Sequence, residues 1–192
     1  MAFYYRQEYC TGCKTCQVAC KDVNDLPIGI LFRRVRKFET GKYPKPGKYN
    51  FAETCNHCAT PACVAACPTG SFYMDLDDGT IQQNTALCNG CKKCMTDCPY
   101  GIPKYFEKYN KVAKCNACIE WRKEGEVPAC VGTCPMRALE FGDMDELLAK
   151  HKDETLVKDL PILPDSKRTN PNTLIKPRAC ALEKDYREHV IV

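Results

Sequence analysis

The sequence predicts an α+β fold of two pseudo-symmetric, loop-rich modules, stapled by metal centres rather than held by one large apolar core. Three observations predict it. The 192 residues include 17 cysteines, close to one in eleven, a density that means covalent staples or metal sites. Sixteen of those cysteines fall into four sets of four with a shared spacing, which is an internal repeat. With 27% of residues charged and 13 prolines, only a modest core can form and much of the chain must be loop.

Set one is Cys10, Cys13, Cys16 and Cys20; set two is Cys55, Cys58, Cys63 and Cys67. Set three is Cys88, Cys91, Cys94 and Cys98; set four is Cys115, Cys118, Cys130 and Cys134; Cys180 stands alone. Sets one and three read Cys-x2-Cys-x2-Cys-x3-Cys. Set two lengthens the second gap to four residues, set four to eleven, and every set ends in an x3 gap. Pro68, Pro99 and Pro135 follow the last cysteine of sets two, three and four, while Lys21 takes that place in set one. Three cysteines in a seven-residue loop can curl into a cup that offers three thiolates to one iron–sulfur cube. The fourth lies one helical turn on and points away, toward a different cluster. This is the bacterial ferredoxin pattern of βαβ-type modules. The proline after it stops the helix.

Two other chemistries compete for these cysteines. Disulfides need an oxidising compartment, normally reached with a signal peptide, and Met1-Ala2-Phe3-Tyr4-Tyr5-Arg6 is no such leader. Zinc sites usually divide their cysteines two and two across a long spacer. Set four could be read so, but sets one and three crowd three thiolates into one short loop.

Along the sequence, residues 3–7 are expected to form a strand into the first cup and residues 14–22 a short helix after Gly12. Residues 31–39, rich in Leu, Phe and Val, read as a strand, 40–48 as loop, and 49–54 as a strand into the second cup. Ser71-Phe72-Tyr73-Met74 and Thr80-Ile81-Gln82-Gln83 flank Asp77-Asp78-Gly79, a hairpin signal. Ala113-Lys114 leads into the fourth cup, and residues 118–123 read as helix. Residues 143–151 form an amphipathic helix capped by Asp143, with Met144, Leu147 and Leu148 on one face. The division expected is one module from 1–30 plus 108–150 (sets one and four), a second from 49–107 (sets two and three), and an extended tail, 151–192, that contacts a partner.

With these motifs in view the sequence resembles the iron–sulfur subunit of the dimethyl sulfoxide reductase family of molybdopterin oxidoreductases. The resemblance runs from about Tyr4 to Pro177. It rests on Cys10-Thr11-Gly12-Cys13-Lys14-Thr15-Cys16, Cys55-Asn56-His57-Cys58, Cys94-x3-Cys98-Pro99-Tyr100-Gly101 and Val127-Pro128-Ala129-Cys130. Cys134-Pro135-x-Arg137-Ala138-Leu139 and Leu174-Ile175-Lys176-Pro177 extend it. The resemblance implies four 4Fe–4S clusters with crossed ligands. One would be held by Cys10, Cys13, Cys16 and Cys134, and a second by Cys20, Cys115, Cys118 and Cys130. A third would be held by Cys55, Cys58, Cys63 and Cys98, and the fourth by Cys67, Cys88, Cys91 and Cys94. Nitrate reductase relatives place a tryptophan where this sequence has Cys91, so a full cubane is implied here. It further implies electron relay between a molybdopterin-containing catalytic subunit, which the first cluster would face, and, often, a quinol-oxidising membrane anchor.

No stretch approaches the ~20 apolar residues of a membrane span, so the protein is expected to be soluble and made in the cytoplasm without its own signal. By resemblance it stays there or crosses the membrane with its catalytic subunit. The formal charge of +4 does not point to nucleic acid, because binding four oxidised cores as thiolates takes it to about −4. Arg33, Arg34, Arg36 and Lys37 form a basic run, read equally as a solvated strand face or a docking patch. His57 reads as a supporting or exposed group beside the second cup, His151 and His189 as surface residues, Trp121 and Tyr100 as core packing or cluster shields, and Cys180 as a spare thiol. No nucleophile–base constellation or phosphate loop is present, so no catalytic residue is assigned. Besides a molybdopterin oxidoreductase, the same cysteines would suit a hydrogenase or formate dehydrogenase complex; a zinc-structured interaction module is the alternative of another class.

Overall fold

The computed structural model describes residues 1–189; the last three residues of the expected tail lie outside them. The strands are Ala2–Arg6 (β1), Arg34–Thr40 (β2), Gly47–Glu53 (β3), Phe72–Met74 (β4), Ile81–Gln83 (β5), Lys104–Phe106 (β6), Lys111–Ala113 (β7), Leu139–Gly142 (β8), Thr173–Lys176 (β9) and Arg187–Glu188 (β10). The helices are Thr15–Val23 (α1), Ala62–Ala65 (α2), Lys93–Asp97 (α3), Ile119–Lys123 (α4), Ala129–Gly132 (α5) and Met144–Lys150 (α6). It is a mixed α/β architecture of short elements, as the cysteine and proline content requires.

β1 is aromatic on both faces, and Phe3, Tyr4 and Tyr5 are all buried, so it must lie inside a sheet. It is the centre of β8-β1-β9, antiparallel to β8 (Phe3 opposite Phe141) and parallel to β9 (Tyr4 opposite Leu174). A second sheet, β10-β2-β3, pairs β2 antiparallel with β3 over seven residues. Between these strands Phe38 and Tyr49 stack at 5.1 Å between ring centroids, both fully buried. Burying each ring contributes about 1.5–3 kcal/mol. Two hairpins, β4-β5 and β6-β7, complete the strands. The first turns at Asp78-Gly79 as the sequence predicts, with Gly79 at φ +71°. Asp143 caps α6, its carboxylate accepting from the amides of Asp145 and Glu146.

Three expectations change. The strand expected from Leu31 starts at Arg34, because Phe32 and Arg33 turn inward and are buried. The loop at 40–48 shrinks, since β2 runs through Thr40 and β3 begins at Gly47. Beyond α6, independently of any partner, the segment also packs on its own chain: β9 joins β1, Val157 bridges Ile175, Leu160 enters the main core and β10 edges β2. His151, expected at the surface, is buried there, stacked on Tyr4 at 3.7 Å.

Candidate metal centres

Each cup is shaped by backbone that ordinary residues avoid. The residue before the second cysteine of every set has positive φ: Gly12 (+73°), His57 (+43°), Gly90 (+74°) and Ala117 (+54°). Only glycine adopts this region freely. Gly12 needs its missing side chain as well, because a Cβ there would meet Asn50 Oδ1 at 2.5 Å. Asn50 is pinned by donating from Nδ2 to the Cys10 carbonyl at 2.7 Å, while its own carbonyl accepts from Tyr5 Oη and Gln7 Nε2. After the first cup, α1 opens at Thr15, so Cys16 and Cys20 sit one turn apart on one helix, about 6 Å along its axis.

The cysteines gather across sets. One cavity is lined by Cys10, Cys13, Cys16 and Cys134. Its walls include Tyr5, Val35 and Leu139. Another is lined by Cys55, Cys58, Cys63 and Cys98, with Ile81, Tyr100, Ile102 and Lys114. In each, three cysteines come from one set and the last from another. The thiols whose charge bears on Cys20 are Cys115, Cys130 and Cys118. Those bearing on Cys94 are Cys63, Cys67, Cys88 and Cys91. Helix packing follows the same logic: α1 lies against α5, which carries Cys130, and α2, which carries Cys63, lies against α3, which carries Cys94. Cys180 joins no group; it lies beside Gly47, its thiol 3.7 Å from the Lys48 carbonyl.

The donor chemistry fits a multi-iron core. Burial, followed by the neighbouring thiols, pushes Cys94 up to about 12 and drives Cys20 well above the ordinary thiol range. Burial also raises Cys16 and Cys63 to about 11 and Cys55 to about 12, against the opposing pull of Arg33 on Cys16 and of Lys114 on Cys63 and Cys55. Thiols crowded in this way become thiolates only when a strongly positive core offsets them. Amides already point at sulfur: Ala117 N–H at Cys115 Sγ (3.3 Å), Ala138 N–H at Cys134 Sγ (3.3 Å) and Val112 N–H at Cys88 Sγ (3.5 Å). Thr15 Oγ1 donates to Cys13 Sγ at 3.3 Å, and this bond leads the effects that hold the Cys13 thiol below its ordinary range. A four-thiolate zinc site would draw its sulfurs to about 2.3 Å from one ion. The cysteines of this protein instead line cavities, three from one set and a fourth from another.

Two cations are buried among the cysteines. Arg33, expected on a solvated face or in a docking patch, is 1% exposed. Lys114 donates to the carbonyls of Ile81 (2.5 Å) and Cys115 (2.9 Å) beside the second cavity. Neither burial has a sequence signal beyond the residues' closeness to cysteines and aromatics. His57 is fully buried; its Nδ1 accepts from the Ile81 amide at 3.0 Å, and burial, then Lys114 and Arg122, hold it neutral. Tyr100 lines the second cavity, whereas Trp121 is exposed on α4.

Comparison with known proteins agrees with this chemistry. The family model described as a 4Fe-4S dicluster domain matches residues 48–144, and one described as a 4Fe-4S binding domain matches residues 7–24. The B subunit of anaerobic dimethyl sulfoxide reductase from Escherichia coli K12 is 40% identical over 185 residues, covering 92% of this chain and 88% of that protein. The chain belongs to this family. The corresponding B subunit of Haemophilus influenzae is 38% identical, with 93% and 90% covered. Protein NrfC of E. coli K12 is 36% identical over 143 residues, with 73% and 64% covered. The cavities thus lie in a protein with 4Fe–4S domains, of the dimethyl sulfoxide reductase B-subunit family.

Proposed function

We propose that this chain is an electron-transfer subunit that relays electrons through four 4Fe–4S clusters, between a molybdopterin catalytic subunit and an electron donor or acceptor. Membership of the B-subunit family supports the role, since the relatives are named as one component of a reductase. The ligand sets are Cys10, Cys13, Cys16 and Cys134; Cys20, Cys115, Cys118 and Cys130; Cys55, Cys58, Cys63 and Cys98; and Cys67, Cys88, Cys91 and Cys94. The observation that carries this assignment is the pair of cavities that each join three cysteines of one set to a fourth from another.

When bound, each cluster supplies a one-electron couple. The protein's own residues hold the thiolates, screen them from water with Tyr5, Val35, Ile81 and Ile102, and place the sets in series. Cys16 and Cys20 share α1, and Cys63 and Cys67 flank the end of α2, so each helix links two ligand sets. Cys20, Cys55, Cys98 and Cys115 share one apolar cluster with Leu26, Phe32 and Ile102, which joins the second set to the third. The modules of this relay are 1–30 plus 108–150 and 49–107, related by the matching cups of sets one and three. The tail, 151–192, contacts a partner, and within it β9 pairs with β1 of the first module.

No helix among the described residues is long and apolar enough to cross a membrane. Any membrane contact falls to a separate anchor subunit, and export, where it occurs, follows the catalytic subunit. The test is anaerobic purification of the native complex. A co-purifying large subunit with bound molybdopterin supports the reading. A complex without molybdenum would move the protein to another oxidoreductase, such as a hydrogenase.

A further inference from the structure

A charge inside a protein needs a partner, and the partner of Arg33 is unusual. Arg33 is among the largest fully buried side chains of the protein. Its Nη1 donates to the Ala52 carbonyl at 3.0 Å, and the guanidinium carbon lies 5.1 Å from the centre of the Phe3 ring. Nε and Nη2 have no hydrogen-bond partner among the protein atoms. Among the described residues no carboxylate pairs with it. The negative charges that bear on it are those of thiols: Cys130 foremost, then Cys16, Cys115 and Cys20. Its sequence neighbours explain the placement. Phe32 packs in the apolar cluster of Cys20 and Cys115, while Val35 packs in the one that holds Cys16, Cys130 and Cys134.

We infer that Arg33 is a positioning residue for electron flow: a permanent cation buried between the first and second ligand sets, where its charge and free N–H groups raise the reduction potential of both clusters. The inference rests on the crossed ligand assignment above. An oxidised 4Fe–4S core with four thiolates carries a net charge of about −2 and gains one more negative charge on reduction. A fixed cation therefore favours the reduced form, and the water-poor interior screens it little. Donors aimed at sulfur act in the same direction. Arginine suits the place because it stays charged when buried and its planar fork presents several donors at once, where a lysine offers one point charge. Two unpartnered donors in an interior this small are costly unless sulfur accepts from them.

The experiment is a redox titration, followed by electron paramagnetic resonance, of the cluster-loaded protein in its native complex, comparing wild type with Arg33→Gln and Arg33→Lys. Iron and acid-labile sulfide are counted on each sample. In Arg33→Gln two of the four clusters should shift down. Their reduced-to-oxidised ratio at a fixed potential should fall about tenfold, which is about 59 mV for a one-electron couple. Arg33→Lys should restore most of that shift. Unchanged potentials in Arg33→Gln, or an equal shift of all four clusters, would overturn the inference. If Arg33→Gln fails to load, Arg33→Lys decides. A lysine variant that loads fully, with any change confined to two clusters, supports the inference; failure of both variants to load makes Arg33 a packing element and overturns it. A wild-type protein without four clusters counts against the ligand assignment instead.

Discussion

Replacing Gly12 with alanine should selectively destroy the first cup. The backbone there has φ +73°, and holding an L residue with a side chain in that region costs roughly 1–2 kcal/mol. The new methyl would also lie 2.5 Å from Asn50 Oδ1 and 2.8 Å from Asn50 Cγ, well inside contact distance. Asn50 cannot swing aside freely, because its Nδ2 holds the Cys10 carbonyl at 2.7 Å. Breaking that bond strands polar groups at a cost of about 1–3 kcal/mol. The sum is about 2–5 kcal/mol, a large share of a small domain's stability. Gly79→Ala is the control: its φ is +71°, but nothing lies within 4 Å of the added carbon, so only the backbone cost applies. The assay is anaerobic denaturant unfolding with iron retention measured on the same samples. Gly12→Ala should unfold at clearly lower denaturant than Gly79→Ala and lose iron first. Equal losses in the two variants would refute the argument from space.

Two further outcomes are expected. Cys180→Ser should leave the iron content unchanged, whereas Cys91→Ser should damage one cluster and leave a three-iron form; equal iron loss in both would undo the assignment of Cys91. Burial alone would raise the Asp78 carboxyl, but bonds from Thr80 (backbone at 2.8 Å, Oγ1 at 2.6 Å) and Arg122 (2.5 Å) outweigh it and hold the group below its ordinary range. A depressed folded-state pKa contributes stability that is fully present above the unfolded value, about 4, and is lost as pH falls through the folded value. Asp78→Asn should therefore be less stable than wild type at neutral pH, with the gap closing below about pH 4. A gap that stays constant from neutral pH to about pH 3 would contradict the pairing.

What can be read from the sequence is local. Cysteine spacing announces the cups because sets one and three each crowd three cysteines into one seven-residue loop. Asp77-Asp78-Gly79 announces a turn, and Asp143 a helix start, because both depend on neighbours a few residues away. The rest depends on residues far apart in the sequence. β9 has only four residues, and nothing in Thr173-Leu174-Ile175-Lys176 says that its mate is β1, some 170 positions earlier. The β6-β7 hairpin lacks a strong turn dipeptide, so the sequence does not announce it; it turns through Asn110 at φ +49°. Arg33 looks like its exposed neighbour Arg34 when charges are counted along a strand, and only the inward turn at Phe32 sets them apart. His151 follows a surface helix, yet it is buried by Tyr4 of the first strand.

The crossed ligation can be seen directly by anomalous diffraction at the iron edge, on crystals of the anaerobically prepared protein or its complex. Four iron clusters should appear, the first bound by Cys10, Cys13, Cys16 and Cys134, and the second by Cys20 together with Cys115, Cys118 and Cys130. A cluster bound by Cys10, Cys13, Cys16 and Cys20, or scattering at the zinc edge in place of iron, would contradict the account.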